Sequence, residues 1–135
     1  MTLPFHRTIK VFTGATASET LSYLYADPNF PVENFGQIKL TLEFDEFTGS
    51  IDFEWSTNNS VWRRVPHMRV DTDAALTAGV IDTLEQFSGE TEGRMFVVPG
   101  GPFPYFRIVM VRTSGTITAG LLQGFEHDTG YMGSR

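Results

Sequence analysis

The sequence predicts an all-β protein that folds as a single antiparallel β-sandwich or jelly-roll-like domain. Three segments carry this prediction, because apolar and polar residues alternate in them with the period of a strand: residues 37–44, 105–113 and 116–125. These segments are rich in β-branched and aromatic residues, which favour strands, and residues that favour turns lie between them. A chain of 135 residues is long enough for one such domain with a sizeable core.

The first half of the chain is typical of short strands separated by turns. Two prolines mark residues 27–36 as a loop, because proline cannot donate a hydrogen bond to a ladder. The predicted elements are, in chain order, strands at residues 8–13, 20–26 and 37–44 and, after a turn at 45–49, a strand that contains Ile51, Phe53 and Trp55.

Residues 71–93 form an insertion with an ambiguous pattern. Its apolar residues recur at helical spacing, but a glycine and several β-branched residues among them weaken a helix. We expect either one short helix at most, or a long loop with a strand near residues 80–87. The residues with helical spacing are Leu76, Val80, Leu84 and Phe87.

A β-hairpin is predicted at the C-terminal end of the domain, after a short strand at residues 94–98. Its two strands are residues 105–113 and 116–125, and Ser114 and Gly115 between them suit a tight turn. We expect the two strands to pair with each other. The predicted core consists of Ile38, Leu40, Leu42, Phe53, Trp55, Phe106, Ile108, Leu121 and one or both of Tyr105 and Phe125.

The sequence of this C-terminal segment resembles that of a group of small phage structural β-sandwich proteins, of the capsid decoration or tail-associated type. The upstream segment 51–65 is similar to a second hairpin of the same group, with Asn58 and Asn59 at its turn. The resemblance implies a virion role and no catalytic motif. The matching C-terminal residues are Pro104, Tyr105, Arg107, Arg112, Thr113, Ser114, Gly115, Thr116, Thr118, Ala119 and Gly124.

Composition and charge exclude several classes of function. The chain has no cysteine, which excludes disulfides and thiolate metal sites. Its net charge is −6 and its ten basic residues are scattered, so we expect no nucleic-acid partner. No segment has the length and apolarity of a membrane span or a signal peptide, so we expect no membrane partner and assembly in a host cytoplasm.

The sequence offers no pattern that predicts an enzyme, and we expect no catalytic residue, metal or cofactor. The three histidines are far apart, and no serine lies in a nucleophile elbow. Two acidic clusters, at residues 71–73 and 90–92, could hold calcium but are better explained as solvated or capping residues. The carboxylates of Glu43, Asp52 and Glu54 are predicted to point outward, with Glu54 opposite Arg63 and Trp55 opposite Trp62.

We therefore expect a virion structural protein, most plainly a capsid decoration (cement) protein that binds the major capsid protein or other virion proteins as a homotrimer or another symmetric oligomer. The alternative is a tail, neck or fibre subunit, including one that binds a host glycan. The domain is predicted to span residues 8–125, with an N-terminal arm at 1–7 and a C-terminal tail at 126–135. The candidate partner-binding residues, all in the arm, the insertion or the tail, are Leu3, Phe5, Leu76, Val80, Phe87, Tyr131 and Met132.

Overall fold

The structure, a computed structural model, describes residues 6–24, 27–32, 35–71, 80–100 and 104–126. Within these residues the protein is antiparallel β-structure without a helix, which confirms the all-β prediction. The strands are β1 (His6–Lys10), β2 (Glu19–Leu24), β3 (Phe35–Ser56), β4 (Arg63–Arg64), β5 (His67–Asp71), β6 (Val80–Asp82), β7 (Glu85–Glu90), β8 (Arg94–Pro99) and β9 (Tyr105–Glu126).

Two long strands, β3 and β9, form the centre of the sheet. Each has 22 residues, and they pair antiparallel along their whole length, from Phe35 opposite Glu126 to Ser56 opposite Tyr105. The other edge of β3 pairs with β8 in its first half and with β7 and β4 in its second half. The other edge of β9 pairs with β2 and then with β1. Beyond β8, the sheet continues through β5 to β6.

Both long strands have an irregularity in their pairing at the same level of the ladder. Glu46 in β3 has a φ of 51° and Gly115 in β9 has a φ of 77°. The register between the strands shifts between Asp45 and Thr48 and again between Thr48 and Gly49. A Cβ atom on residue 115 would collide with the backbone of Glu46, so glycine lets the two backbones approach here. These features are β-bulges, which bend and twist the strands that contain them.

The predicted C-terminal hairpin is therefore wrong, as is the predicted turn at residues 45–49. Residues 105–113 and 116–125 belong to one continuous strand, and each segment pairs with β3 instead of with the other. The physical reason is that a residue with positive φ suits a tight turn and a bulge equally well, so the local sequence does not distinguish them. Arg112 stabilises the bulge, because its Nε donates a hydrogen bond to the carbonyl oxygen of Gly115 at 2.6 Å.

The sheet folds over on itself, so its two halves enclose the core. Phe53, in the second half of β3, lies with its ring centroid 6.2 Å from that of Phe96 in β8, which pairs with the first half. Phe87 of β7 makes the same kind of contact with Phe44, at 4.8 Å. The two layers of this domain are thus parts of one continuous sheet joined through bent strands.

Six of the predicted core residues have no exposed surface, and these are Ile38, Leu40, Leu42, Phe53, Phe106 and Ile108. Trp55, Tyr105 and Phe125 are only half-buried.

The inward face of β9 changes phase beyond the bulge. Leu121, which was predicted to be buried, is half-buried, and its neighbour Leu122 is fully buried instead. Ile117 pairs with Phe44 while Ala119 pairs with Glu43, which leaves one extra residue, Thr118, on β9. One extra residue reverses the side of the sheet on which the following side chains lie.

The described part of the insertion at residues 71–93 is mostly strand, which agrees with the second of its two predicted alternatives. Val80–Asp82 pairs with β5, and Glu85–Glu90 pairs with β3. A helix that spans both Val80 and Phe87 is therefore excluded, whereas Leu76 lies outside the described residues. The ladder also includes His6 and Arg7, which were assigned to the N-terminal arm, and Glu126, which was assigned to the tail.

Candidate functional site

A shallow cleft lies beside the paired ends of β2, β3 and β9. Its volume is about 110 Å³. The pairing of Leu24 with Tyr105 brings β2 to the start of β9, and the turn that follows β3 closes the other side. The lining side chains are Ser22, Tyr23, Asp27, Asn59, Trp62 and Tyr105. Three aromatic rings and three polar side chains therefore converge on one small concave surface.

The turn after β3 is held by its own side chains. The buried Ser56 Oγ accepts hydrogen bonds from the backbone N–H groups of Asn58 at 3.2 Å and Asn59 at 2.9 Å. The Asn58 side-chain oxygen accepts from the backbone N–H groups of Ser60 and Val61, both at 2.9 Å. Asn59 has a φ of 61°, a conformation that asparagine tolerates better than most residues. The turn is thus a fixed platform that carries Asn59 at the cleft.

Trp62 is held by a charged pair beneath its ring. The Arg107 Cζ lies 4.1 Å from the centroid of the Trp62 ring. Arg107 is itself bound by Glu54, whose Oε1 accepts from Nε at 2.7 Å and lies 2.6 Å from the second guanidinium nitrogen. A guanidinium on the face of an indole is attracted by the ring quadrupole. The orientation of Trp62 is therefore fixed from below by β3 and β9.

These contacts correct the predicted pairings of Glu54 and Trp55. In the ladder Glu54 lies opposite Arg64, and Trp55 lies opposite Arg63, one residue away from the prediction. The turn after β3 contains one more residue than the sequence suggested, and the charge partner of Glu54 comes from β9 instead of β4.

Asp52 was predicted to point into solvent, and this prediction is wrong. Its side chain is buried, and Oδ2 accepts a hydrogen bond from Arg64 Nε at 2.7 Å. Among the described residues, its Oδ1 has no hydrogen-bond partner. Burial raises the pKa of Asp52, and the neighbouring Glu54 raises it further, although Arg64 opposes the shift. Each of these two carboxylates is bound to its own arginine, which favours a structural role for both over a catalytic pair.

On the opposite wall of the cleft, the negative charge of Asp27 acts on the phenol of Tyr23. Asp27 Oδ1 accepts from the backbone N–H groups of Asn29 at 2.8 Å and Phe30 at 2.9 Å, which fixes the loop after β2. Burial, together with the charges of Asp27 and Glu19, raises the pKa of Tyr23 to about 12. The Tyr23 phenol therefore stays protonated, as a hydrogen-bond donor, at any physiological pH.

A second polar cluster lies inside the core. His67 Nε2 lies 2.8 Å from Glu85 Oε2, and Arg69 donates to Glu85 Oε1 at 3.2 Å. The His67 ring contacts Phe53 and Phe96 edge-on, at 5.1 and 5.7 Å. Sequence reasoning missed this cluster, since it noted only that the three histidines are far apart in the chain. His67 and Arg69 lie in β5 and Glu85 lies in β7, inside the insertion, so no local spacing signals that they meet.

Most of the predicted partner-binding residues lie outside the described residues, so their role stays a prediction. Leu3, Phe5, Leu76, Tyr131 and Met132 lie outside the described residues. Val80 begins the short strand β6. Phe87 does not fit a partner contact, because it is 7% exposed and packs in the core.

Within the described part of the chain, no group of three or more acidic or histidine side chains is arranged to hold a metal ion. Of the two acidic clusters, residues 72–73 lie outside that part. In the other cluster, Arg94 binds Glu90 at 3.1 Å and Glu92 at 3.6 Å. Among the same described residues, no helix has the length and apolarity to cross a membrane.

Comparison with known proteins identifies a likeness of fold. No family model matches the chain, and no curated protein matches it. Among solved structures, the SPBc2 prophage-derived protein YomS is similar, with a TM-score of 0.62 and 11% sequence identity. The likeness covers 94% of this chain and 97% of that protein. This chain thus has, over nearly its whole length, a fold similar to that of a prophage-derived protein.

Proposed function

We propose that this chain is a non-enzymatic structural protein of a bacteriophage virion, and that it binds the capsid surface as a decoration (cement) protein. The observation that carries the proposal is the likeness of fold to the SPBc2 prophage-derived protein over 94% of this chain. The resemblance of its C-terminal sequence to small phage structural proteins supports the same class of protein. Such a protein would be assembled in the host cytoplasm and would stabilise the particle.

The roles of the residues that carry this resemblance support a structural function. Arg107 joins Glu54 to Trp62, and Arg112 and Gly115 form the bulge at which β9 bends. These residues stabilise the bent pair of long strands and contact one another or the backbone. A sequence pattern of this kind is expected where a family shares a scaffold.

The described ion pairs also favour a scaffold. Asp52 and Glu54 each bind an arginine, and Glu85 binds both His67 and Arg69. Glu54 and Glu85 are therefore poor candidates for general acid–base catalysis, because an arginine already matches the charge of each within the protein.

We propose further that the protein attaches as a homotrimer to the major capsid protein. Many weak contacts, repeated by symmetry, hold a small protein on a particle far more tightly than one contact does. The proposed contacts lie in residues 1–5 and 127–135, which contain Leu3, Phe5, Tyr131 and Met132, and in residues 72–79, which contain Leu76.

The proposal is tested on purified particles of the phage that encodes the chain. Quantitative mass spectrometry should find the chain in many copies per particle, and electron microscopy of particles labelled through an added C-terminal tag should place it on the capsid. Light scattering should give the isolated protein a mass near three times 15.1 kDa. Label confined to the tail would support a tail, neck or fibre subunit instead. Absence from particles would overturn the virion role.

Truncation separates the proposed contacts from the folded domain. Deletion of residues 1–5 or of residues 127–135 should weaken binding to particles stripped of the protein and leave the urea unfolding midpoint unchanged. Binding at full strength by both truncated chains would move the contacts to the loops of the domain.

A further inference from the structure

We propose that the cleft beside Trp62 binds a single neutral sugar residue, free or at the end of a glycan chain. This inference stands apart from the proposed place of the protein in a particle. It rests on the side chains that line the cleft and on the way in which they are held.

The aromatic part of the cleft suits the apolar face of a sugar ring. Trp62, Tyr105 and Tyr23 come from three separate segments and line the same small space. A pyranose carries C–H groups on its faces, and stacking these on an indole removes apolar surface from water on both partners. Trp62 is half-buried, and Arg107 at 4.1 Å fixes its ring. Binding therefore costs little loss of side-chain freedom, which is the advantage of a preorganised site.

The polar part of the cleft suits hydroxyl groups. Asp27 and Asn59 offer oxygen acceptors, and the Asn59 amide, the Ser22 hydroxyl and the protonated Tyr23 phenol offer donors. Only Oδ1 of Asp27 is used by the loop after β2. Asn59 is exposed on a turn whose hydrogen bonds are made by Ser56 and Asn58 and by backbone groups. A mixture of donors and acceptors held by a strand and by ordered turns is what a ligand with several hydroxyls requires.

Charge and size narrow the ligand class further. Among the described residues, the lining includes the carboxylate of Asp27 and no cation, and the nearby Arg107 is bound by Glu54. An anionic ligand such as a phosphate or a uronic acid would be repelled there, so the preferred ligand is neutral. The volume of about 110 Å³ is well below the ~300–1,000 Å³ of pockets that enclose drug-sized ligands. The cleft therefore matches one ring, with the rest of a glycan in solvent.

The test uses the full chain and an array of neutral mono- to tetrasaccharides built from glucose, galactose, rhamnose and N-acetylglucosamine. Bound members are then titrated in solution while the Trp62 indole N–H resonance is followed by NMR. We expect saturable binding that shifts this resonance, whereas matched oligosaccharides that carry a uronic acid should bind at least about tenfold more weakly.

Three variants assign the binding to the cleft. Trp62→Ala should lower the affinity at least about tenfold through loss of stacking and apolar contact, and Trp62→Phe, which keeps a ring, should lower it less. Asn59→Gly keeps the positive φ of the turn and removes the carboxamide, so it should lower the affinity about 2–12-fold, the value of one hydrogen bond. Trp55 is a half-buried tryptophan outside the cleft lining, so Trp55→Phe is the matched control and should bind as the parent does.

Three outcomes would overturn the inference. The first is that no neutral saccharide on the array binds the parent chain. The second is that binding survives unchanged in both Trp62→Ala and Asn59→Gly while circular dichroism shows these variants to be folded. The third is a preference for the anionic saccharides, which would reject the assignment of a neutral ligand.

Discussion

The close approach of the two long strands at their bulges predicts a large cost for one added methyl group. Gly115 combines a φ of 77° with a position where a Cβ atom would collide with the Glu46 carbonyl. Gly14 has a similar φ of 69°, but a Cβ atom there would meet nothing within 4 Å. The pair therefore separates the cost of the backbone conformation from the cost of the collision.

The expected magnitudes follow from these two geometries. Alanine in the left-handed region costs about 1–2 kcal/mol, and Gly14→Ala should lower the free energy of unfolding by that amount. Gly115→Ala carries the same cost and, in addition, about 1–3 kcal/mol for moving packed groups apart. The sum of about 2–5 kcal/mol is a large part of the ~5–15 kcal/mol that stabilises a typical domain.

Urea unfolding, followed by tryptophan fluorescence, measures both costs. The two variants should keep the slope of the parent transition, which makes their midpoints comparable. If the two substitutions cost the same within about 0.5 kcal/mol, the backbones of Glu46 and residue 115 do not approach as described, and the bend of the sheet has another origin.

Three further predictions concern the core and two titrating groups. Phe53→Ala should cost about 3–5 kcal/mol in urea unfolding because Phe53 is fully buried, whereas Val111→Ala, at a side chain 47% exposed, should stay within about 0.5 kcal/mol of the parent; equal costs would place Phe53 outside the core. Because the folded state raises the pKa of Asp52, that state binds the proton more tightly than the unfolded chain, and this group lowers stability as the pH rises from about 4 through the raised pKa. Asp52→Asn should therefore gain stability relative to the parent over that rise, and a constant difference between pH 4 and pH 7 would contradict the burial of the carboxylate. Ultraviolet titration should show one tyrosine with a pKa of about 12 that disappears in Tyr23→Phe; persistence of that component would assign it to another tyrosine.

The sequence was sufficient to predict what depends on near neighbours in the chain. Strict alternation located the first half of β3, together with β8 and both halves of β9, and it identified Ile38, Phe53 and Phe106 as core. It did not show whether Gly115 ends a strand or bends it. That choice depends on β3, which supplies the partner for both halves of β9.

The candidate cleft was beyond prediction for the same reason. In the sequence Trp62 was noted as a cross-strand partner, and Tyr105 as a strand residue, a candidate core residue and part of the family resemblance. The ladder between β3 and β9 and the pairing of β2 with β9 bring them together with Tyr23. The buried pair of His67 and Glu85 likewise needs β5 and β7, two strands that the local sequence does not link.

The long central ladder also determines the order in which the nascent chain can fold. Of the residues paired between β3 and β9, Ser56 and Tyr105 are separated by the shortest stretch of chain, and Phe35 and Glu126 by the longest. β7 and β8 leave the ribosome before β9, so one edge of β3 can be covered while the other still displays unpaired backbone. Contacts of such large sequence separation form slowly, and an uncovered strand edge is a template for pairing with another chain. Aggregation during synthesis, more than unfolding of the finished protein, is therefore the hazard inherent in this architecture.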